Sequence, residues 1–465
     1  MLGIHLDRIN DLPLWRQIYQ HIKELIHSGQ LMAGDALPST RELARELMVS
    51  RNTVCEAYDQ LISEGYIINR LGAPSRVREG LCMEPAEAGV LLKEKIFIPN
   101  PISISFQTGR PDLLQFPIFL WQQLMRRAFD LVPLEAYGYN GPEGLLDLRQ
   151  EIAAWLFRSR GLKVLWSDIF ITDGATHGLH LLANMLCSQG QEILIEDPCH
   201  NGMLTTFQNK GCNITHIPVD SEGIQTAFLP VSQNIGAVYV TPSHQFPLGG
   251  ILSAARRTSL IRYARENNLY IIEDDYDSEF RYNKESIAPL YSMDSLHVIY
   301  VGTFSKSIFP ALRIGFVILP HHLHKKWCNL RTHTDVQNPI FEQVALSEFL
   351  KSRKFDRHVK RMRKIYGQRR QVLLETLEEI FGNEWVPYGD SAGLHVVIEF
   401  PGKHFDKAFQ RHCLQAGLYI TPVEHHCIEK GHHHSKLLIG YGHLEPDEIR
   451  KGILLLSKCM QQFDL

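Results

Sequence analysis

The hydrophobic pattern of the chain changes its period once, and that change decides most of what the chain can fold into. From residue 14 to about residue 78, apolar residues recur at helical spacing. From residue 102 onward, short β-rich runs alternate with helical stretches. Between them, residues 79–101 hold Glu84, Pro85, Glu87 and Gly89, end in Pro99-Asn100-Pro101, and keep no sustained period. The 465 residues therefore read as a head (1–78), a linker (79–101) and a large second part (102–465).

In the head, Pro13 opens a first helix whose Trp15, Ile18, Ile22, Leu25 and Ile26 share a face until Ser28-Gly29 stops it. Ser39 with Glu42 three residues on is a capping box, and Leu43, Ala44, Leu47 and Met48 form the expected buried stripe of a second helix. Ser50 caps a third, with Val54, Ala57, Tyr58, Leu61 and Ile62 on one face. Gly65 ends it, and Tyr66-Ile67-Ile68, then Gly72 and Val77, predict a small hairpin. Three helices and a hairpin make a winged helix-turn-helix, in which Arg51, Asn52 and Thr53 at the exposed start of the third helix would enter the major groove of double-stranded DNA. An arginine there can read guanine with two hydrogen bonds. Arg41 and Arg45 on the preceding helix, and Arg70, Arg76 and Arg78 in or beside the wing, could reach phosphates.

Charge alone would not suggest this. Residues 1–78 carry nine Lys+Arg against nine Asp+Glu, and the whole chain 48 against 51. The placement of the arginines carries the argument, and the competing reading is a protein-interaction module with solvated arginines. Nine scattered cysteines, with no Cys-x-x-Cys pair, point away from a disulfide scaffold or zinc ribbon. No signal-peptide pattern opens the sequence and no apolar run approaches the roughly 18 residues of a membrane span, so a cytoplasmic protein without a membrane partner is expected.

In the large part, runs at 169–172, 193–196, 214–219, 237–241, 269–273, 298–301 and 314–319 alternate with helical patterns such as 177–186, 254–266 and 342–350. This predicts an α/β fold, a mostly parallel sheet with helices on both faces and ligands at the carboxyl ends of the strands. A further apolar run at 394–400 and an amphipathic helix after Pro446 suggest a smaller α+β lobe. One strand leads into Asp274-Asp275-Tyr276, another into Gly302-Thr303-Phe304-Ser305-Lys306. A lysine past one strand and an acidic cluster past another suit pyridoxal 5'-phosphate. The lysine forms a Schiff base, and a carboxylate keeps the pyridine nitrogen protonated. Gly174-Ala175-Thr176 opens a helix, where free N–H groups favour a phosphate, and Thr303, Ser305 and Arg313 could complete the cup.

The run LPSTRELARELMVSRNTVCEAYDQLISEGYI resembles the GntR-type winged helix. That resemblance implies DNA contacts by Ser39, Arg41, Ser50, Arg51 and Thr53; Gly72-Ala73-Pro74-Ser75 departs from the usual two-glycine wing. From about residue 104 the chain resembles fold-type I aminotransferases. TPSHQFPLGGILSAARR, IIEDDYDSEFRY and GTFSKSIFPALRIGFVILP, joined to such a head, resemble the MocR subfamily of transcriptional regulators. The resemblance implies that Lys306 is the Schiff-base lysine and that Asp274 pairs with the pyridine nitrogen. It further puts Tyr276 at the 3-hydroxyl, Arg313 and Thr303 on phosphate, and His244 or Gln245 beside the ring. Tyr139, in GYNGPEG, would reach the partner subunit's phosphate, which implies a homodimer.

Two departures bear on the small-molecule effector. His200 stands where the family commonly has a tyrosine stacked on the cofactor, so either an imidazole stacks there or it is a loop histidine. Leu438 stands where aminotransferases carry an arginine that clamps a carboxylate, and Gly202 where GABA-responsive members carry another. Leucine and glycine cannot make that two-pronged contact, so neither GABA nor an ordinary α-amino acid is the expected effector. The histidine-rich stretch 425–434 is read as a solvated loop without a metal. Two functions remain: a DNA-binding transcriptional regulator that senses an amine or the vitamer itself, or an aminotransferase with an appended regulatory head.

Overall fold

A computed structural model of the protein divides the chain into two compact units, 1–97 and 98–465. It describes all residues except 1, 9–10, 70–72, 81–101, 188–189, 232–233, 283–286, 390 and 464–465. The linker expected at 79–101 therefore lies almost wholly outside the described residues, as do Arg70 and Gly72.

In the first unit, α1 (Leu14–His27) starts directly after Pro13 and buries Ile18, Tyr19, Ile22 and Ile26. The capping box of α2 (Thr40–Glu46) is closed in both directions: Ser39 Oγ accepts from the Glu42 N–H at 3.2 Å, and Glu42 Oε2 accepts from the Ser39 N–H at 2.9 Å. Helix α3 (Arg51–Ser63) is capped by Ser50, whose Oγ accepts from the Thr53 N–H at 3.1 Å, and buries Val54, Ala57, Tyr58 and Leu61. Strands β1 (Ile67–Ile68) and β2 (Arg76–Val77) pair antiparallel, Ile67 opposite Val77, and close the small core. Met48 corrects the expected stripe. Helix α2 ends at Glu46, and Met48 takes a left-handed conformation (φ 50°) with its side chain exposed, because the chain must reverse there to start α3.

The second unit begins with β3 (Ile104–Ser105) and is built on an eight-stranded sheet. Its strands are β4 (Ile169–Thr172), β5 (Glu192–Asp197), β6 (Asn213–Asp220), β7 (Gly223–Ile224), β8 (Ile235–Val240), β9 (Tyr270–Asp275), β10 (Val298–Thr303) and β11 (Gly315–Ile318). They lie in the order β4-β11-β10-β9-β8-β5-β6-β7, and only β11 and β7 run against their neighbours. Alternate residues feed two cores: Ile171, Leu194, Val238, Ile271 and Val298 belong to one, Phe170, Ile193, Tyr239, Ile272 and Ile299 to the other. That is why the strands read as continuous apolar runs rather than as alternating ones. A second sheet, of β12 (Val386–Tyr388), β13 (His395–Glu399), β15 (Thr421–Pro422) and β16 (Lys436–Gly440), is antiparallel in the order β12-β13-β16-β15. Beside it, β14 (Leu418–Tyr419) pairs with β3, and the closing helix Pro446–Gln462 packs against those two strands and the long helix Lys354–Phe381.

Two strands run further than their sequence pattern suggests. Asp274 and Asp275 lie on β9 and Thr303 on β10, not in the loops that follow. On a strand neighbours point to opposite faces, so the two aspartates serve different partners. Asp275 Oδ2 meets Arg160 at 2.9 Å and accepts from the Tyr300 hydroxyl at 2.5 Å; Asp274 faces the other way.

Candidate functional site

The carboxyl ends of β8, β9 and β10 open onto a cavity of about 220 Å³, against the 10–15 Å³ or so that one water needs. Lys306, Asp274, Tyr276, Ala175, Thr176, His200, Thr303, Ser305 and Arg313 all line it. The lysine follows β10 by three residues and donates from Nζ to the Gly109 carbonyl at 2.9 Å. Burial lowers its pKa, against the attraction of Asp277 and then of Asp274, so its amine is neutral and nucleophilic at lower pH than a surface lysine. Gly109 has φ +71°, and a Cβ there would stand 2.6 Å from Nζ; the lysine occupies space that only glycine leaves free.

Asp274 defines the other end. Its Oδ2 accepts from the Tyr239 hydroxyl at 2.7 Å, while its Oδ1 is buried with no hydrogen-bond partner among the described residues. Burial pushes its pKa up to about 7, since a buried carboxylate is costly to ionise without a cation. A protonated ring nitrogen would supply that cation and the missing donor.

The start of α4 (Ala175–Leu186) also opens on the cavity, and its first-turn N–H groups, which have no partner within the helix, could receive an anion. Arg313, exposed and left-handed (φ 51°), donates from Nη2 to the Asp173 carbonyl at 2.5 Å. A Cβ on Gly174 would stand 3.0 Å from that guanidinium, so glycine there lets the arginine lie against the helix start. Thr303 Oγ1 donates to Ser305 Oγ at 3.0 Å and accepts from the Ser305 N–H at 3.2 Å.

Several expected residues sit elsewhere. Gln245 is fully buried but does not line the cavity; its amide donates to the Pro198 and Phe246 carbonyls (2.8 and 2.6 Å) and braces the turn around Pro247. His244 stands behind the wall, with Nδ1 3.0 Å from Asp277 Oδ2 and 3.1 Å from the Tyr276 hydroxyl. Gly174 shapes the helix start through its neighbours rather than lining the cavity. Tyr139 is 89% exposed. Leu438 is fully buried, opposite Val397 in the second sheet, and takes no part in the cavity. Gly202 leaves room for His200: a Cβ would come within 3.0 Å of the ring, which caps the helix Asn201–Asn209 by accepting from the Gly202 N–H at 3.1 Å.

Sequence reading missed Tyr239, Asp277, His395 and Gly109. The one signal for Tyr239 was a hydroxyl inside the apolar run IGAVYV, where it needs a buried acceptor. Asp277 was hidden in the acidic cluster DDYD, and His395 in an apolar strand.

On the head, Arg41, Arg51, Asn52 and Arg76 are exposed and Thr53 is half-buried at the start of α3. Ser39 and Ser50 are spent on helix caps through Oγ. Arg76 donates to the Gly34 carbonyl at 2.7 Å, and Arg51 Nε lies 3.4 Å from Thr40 Oγ1. In the stretch 425–434, His432 meets Glu429 at 3.5 Å, and His433 and Gly431 give their N–H groups to Glu424. No helix among the described residues is long and apolar enough to cross a membrane.

Comparison with known proteins agrees with both units. Residues 14–77 match the bacterial regulatory proteins of the gntR family, and residues 121–448 match aminotransferase class I and II. The HTH-type transcriptional regulator YdeL of Bacillus subtilis is 34% identical over 97% of this chain and 98% of its own length. The HTH-type pyridoxine biosynthesis transcriptional regulator PdxR of Corynebacterium glutamicum is 32% identical over 96% and 95%. The probable rhizopine catabolism regulatory protein MocR of Rhizobium meliloti is 29% identical over 96% and 94%. Among solved structures, an archaeal alanine:glyoxylate aminotransferase superposes with a TM-score of 0.73 at 26% identity, over 78% of this chain and 91% of that one. With a gntR-type head and an aminotransferase class I and II domain in one chain, the protein belongs to the MocR subfamily of GntR-type transcriptional regulators.

Proposed function

We propose that the protein is a DNA-binding transcriptional regulator whose large unit binds pyridoxal 5'-phosphate and uses it to sense an amine or the vitamer itself. The observation that carries the cofactor is the orphaned Oδ1 of Asp274 facing a cavity that also holds Lys306 and the start of α4. Those residues fit the cofactor's three ends. Asp274 would hold the ring nitrogen, and Arg313, Thr303, Ser305 and the N–H groups of Ala175 and Thr176 would hold the phosphate. Lys306 would attach the carbon of the aldehyde. Once bound, the cofactor supplies an electrophilic carbon that primary amines attack and a ring that withdraws electrons. Tyr239 holds Asp274 in orientation, and burial keeps the Lys306 amine nucleophilic. His200 and Phe246, with ring centroids 5.3 Å apart, cover the cavity from one side.

The exposed Tyr139 supports a homodimer, with that residue given to the partner's phosphate site. Paired heads would then engage two half-sites of an operator. A ligand changes transcription only by binding one dimer state better than another. The alternative, an aminotransferase with a regulatory head, draws on the same Lys306 and Asp274. The burial of Leu438 in the second sheet speaks against it, because a substrate carboxylate without its arginine is poorly oriented.

The test pairs promoter-fragment binding at defined salt with an amine/2-oxoacid turnover assay, for native protein and Lys306→Ala. Lys306→Ala should bind the fragment like the native protein yet no longer respond to amines or retain cofactor after borohydride reduction. Robust turnover without DNA binding would refute the regulator.

A further inference from the structure

Once the cofactor's three ends are assigned, two buried titratable residues of the lining are left without a role: Asp277 and His395. Asp277 is buried, and its two oxygens share one neighbour, His244 Nδ1, at 3.1 and 3.0 Å. A carboxylate has about four lone-pair sites, so one N–H leaves most of its accepting capacity toward the cavity. The Asp277 carboxylate also lies within 4.8 Å of a ring nitrogen of His395, so the two share one corner of the cavity.

His395, on β13, is also buried and lines the cavity. Its Nε2 lies 3.1 Å from the Pro247 carbonyl, which can only accept, so the ring carries its proton on Nε2. Nδ1 is then a bare acceptor. Burial holds the ring neutral, with a pKa near 3. Lys306 and Arg313 are the only Lys or Arg side chains among the described lining residues, and both are committed to the cofactor.

Building on the sensor reading above, we propose that the effector is a diamine, a primary amine with a second cationic group and no carboxylate, whose far end is received by Asp277 and His395. An ammonium donates three hydrogen bonds and accepts none, which matches two acceptors, one of them charged. A carboxylate in the same place would face Asp277 without a donor.

Three four-carbon probes differ only in that far group: 1,4-diaminobutane, butylamine and 4-aminobutanoate. Each is titrated into the cofactor-loaded full-length protein by calorimetry, with the cofactor's absorbance followed in parallel. We expect 1,4-diaminobutane to bind at least tenfold more tightly than butylamine, and 4-aminobutanoate more weakly than either. Asp277→Asn should close most of the gap between diamine and monoamine. Because Asp277 also holds His244, His395→Phe, which keeps an aromatic ring of similar size, provides the second variant and should narrow the same gap. Retained cofactor absorbance shows that each variant is folded. Equal binding of 1,4-diaminobutane and butylamine overturns the proposal while leaving an amine sensor standing. Tighter binding of 4-aminobutanoate also overturns it and points to Arg281, buried nearby with Nε and Nη1 unpartnered among the described residues. No binding by any of the three overturns both the diamine and the amine-sensor reading.

Discussion

Replacing Asp274 by alanine is expected to lower the affinity for pyridoxal 5'-phosphate more than a hundredfold. Removing one partner of a buried ion pair costs about 3–5 kcal/mol, because the remaining charge is left uncompensated. Alanine also strips the buried Tyr239 hydroxyl of its acceptor, Asp274 Oδ2. Asp274→Asn separates the two contributions: it restores an acceptor for Tyr239 but not the charge, and should lose nearly as much as alanine. Fluorescence titration of the stripped protein with the cofactor measures both. A loss below threefold in either variant would show that the ring nitrogen is held elsewhere.

The same residue predicts how the cofactor-free protein responds to pH. Burial raises the Asp274 pKa from an ordinary 3.8 to about 7, so between those values the folded protein binds a proton that the unfolded chain has lost. Its stabilising contribution is full below about pH 4 and is lost as pH rises through about 7. Glu196 and Glu273, also buried and pushed up to about 7, act in the same direction. The melting temperature of the stripped protein should therefore fall more steeply between pH 5 and 7.5 for the native chain than for Asp274→Asn. Parallel curves would contradict the assignment.

Arg51→Ala is the second large effect. Loss of a two-pronged arginine–guanine contact costs about 1–3 kcal/mol, or roughly fivefold to more than a hundredfold in operator affinity. It should also relax sequence preference at one base pair. The side chain is exposed and, among the described residues, its one hydrogen bond is the long contact to Thr40, so the fold should not change. Arg41→Ala should instead weaken binding to all sequences alike and lower the salt dependence by about one ion, the behaviour of a phosphate contact. Fluorescence anisotropy on matched and scrambled duplexes, at several salt concentrations, distinguishes the two. Equal loss on both duplexes for Arg51→Ala would move it to the backbone class.

The legible parts of the chain were those governed by local rules. Ser39 with Glu42, and Ser50 before α3, announced helix starts because a cap is a contact across three residues. The strands of the central sheet were legible because both faces are buried, which leaves long apolar runs. Lys306 and the glycine before α4 were legible as residues at strand ends and helix starts. Errors arose where one local rule overrode another: Met48 left its stripe because a turn needed it, and Asp274 stayed on its strand because a buried polar group there has Tyr239 as partner.

By itself the sequence determined two folding units, their element types, the caps of the head's helices and the strand-end and helix-start positions of Lys306 and Gly174. These follow from periodicity and from contacts a few residues long. Tertiary structure alone decided which polar groups share the cavity. Gly109 meets Lys306 across 197 residues, and His395 meets the Pro247 carbonyl across 148. It also decided that Gln245 braces a turn while Asp277 lines the cavity. No rule of spacing reaches that far, since such contacts depend on how sheet and lobe pack rather than on neighbours along the chain.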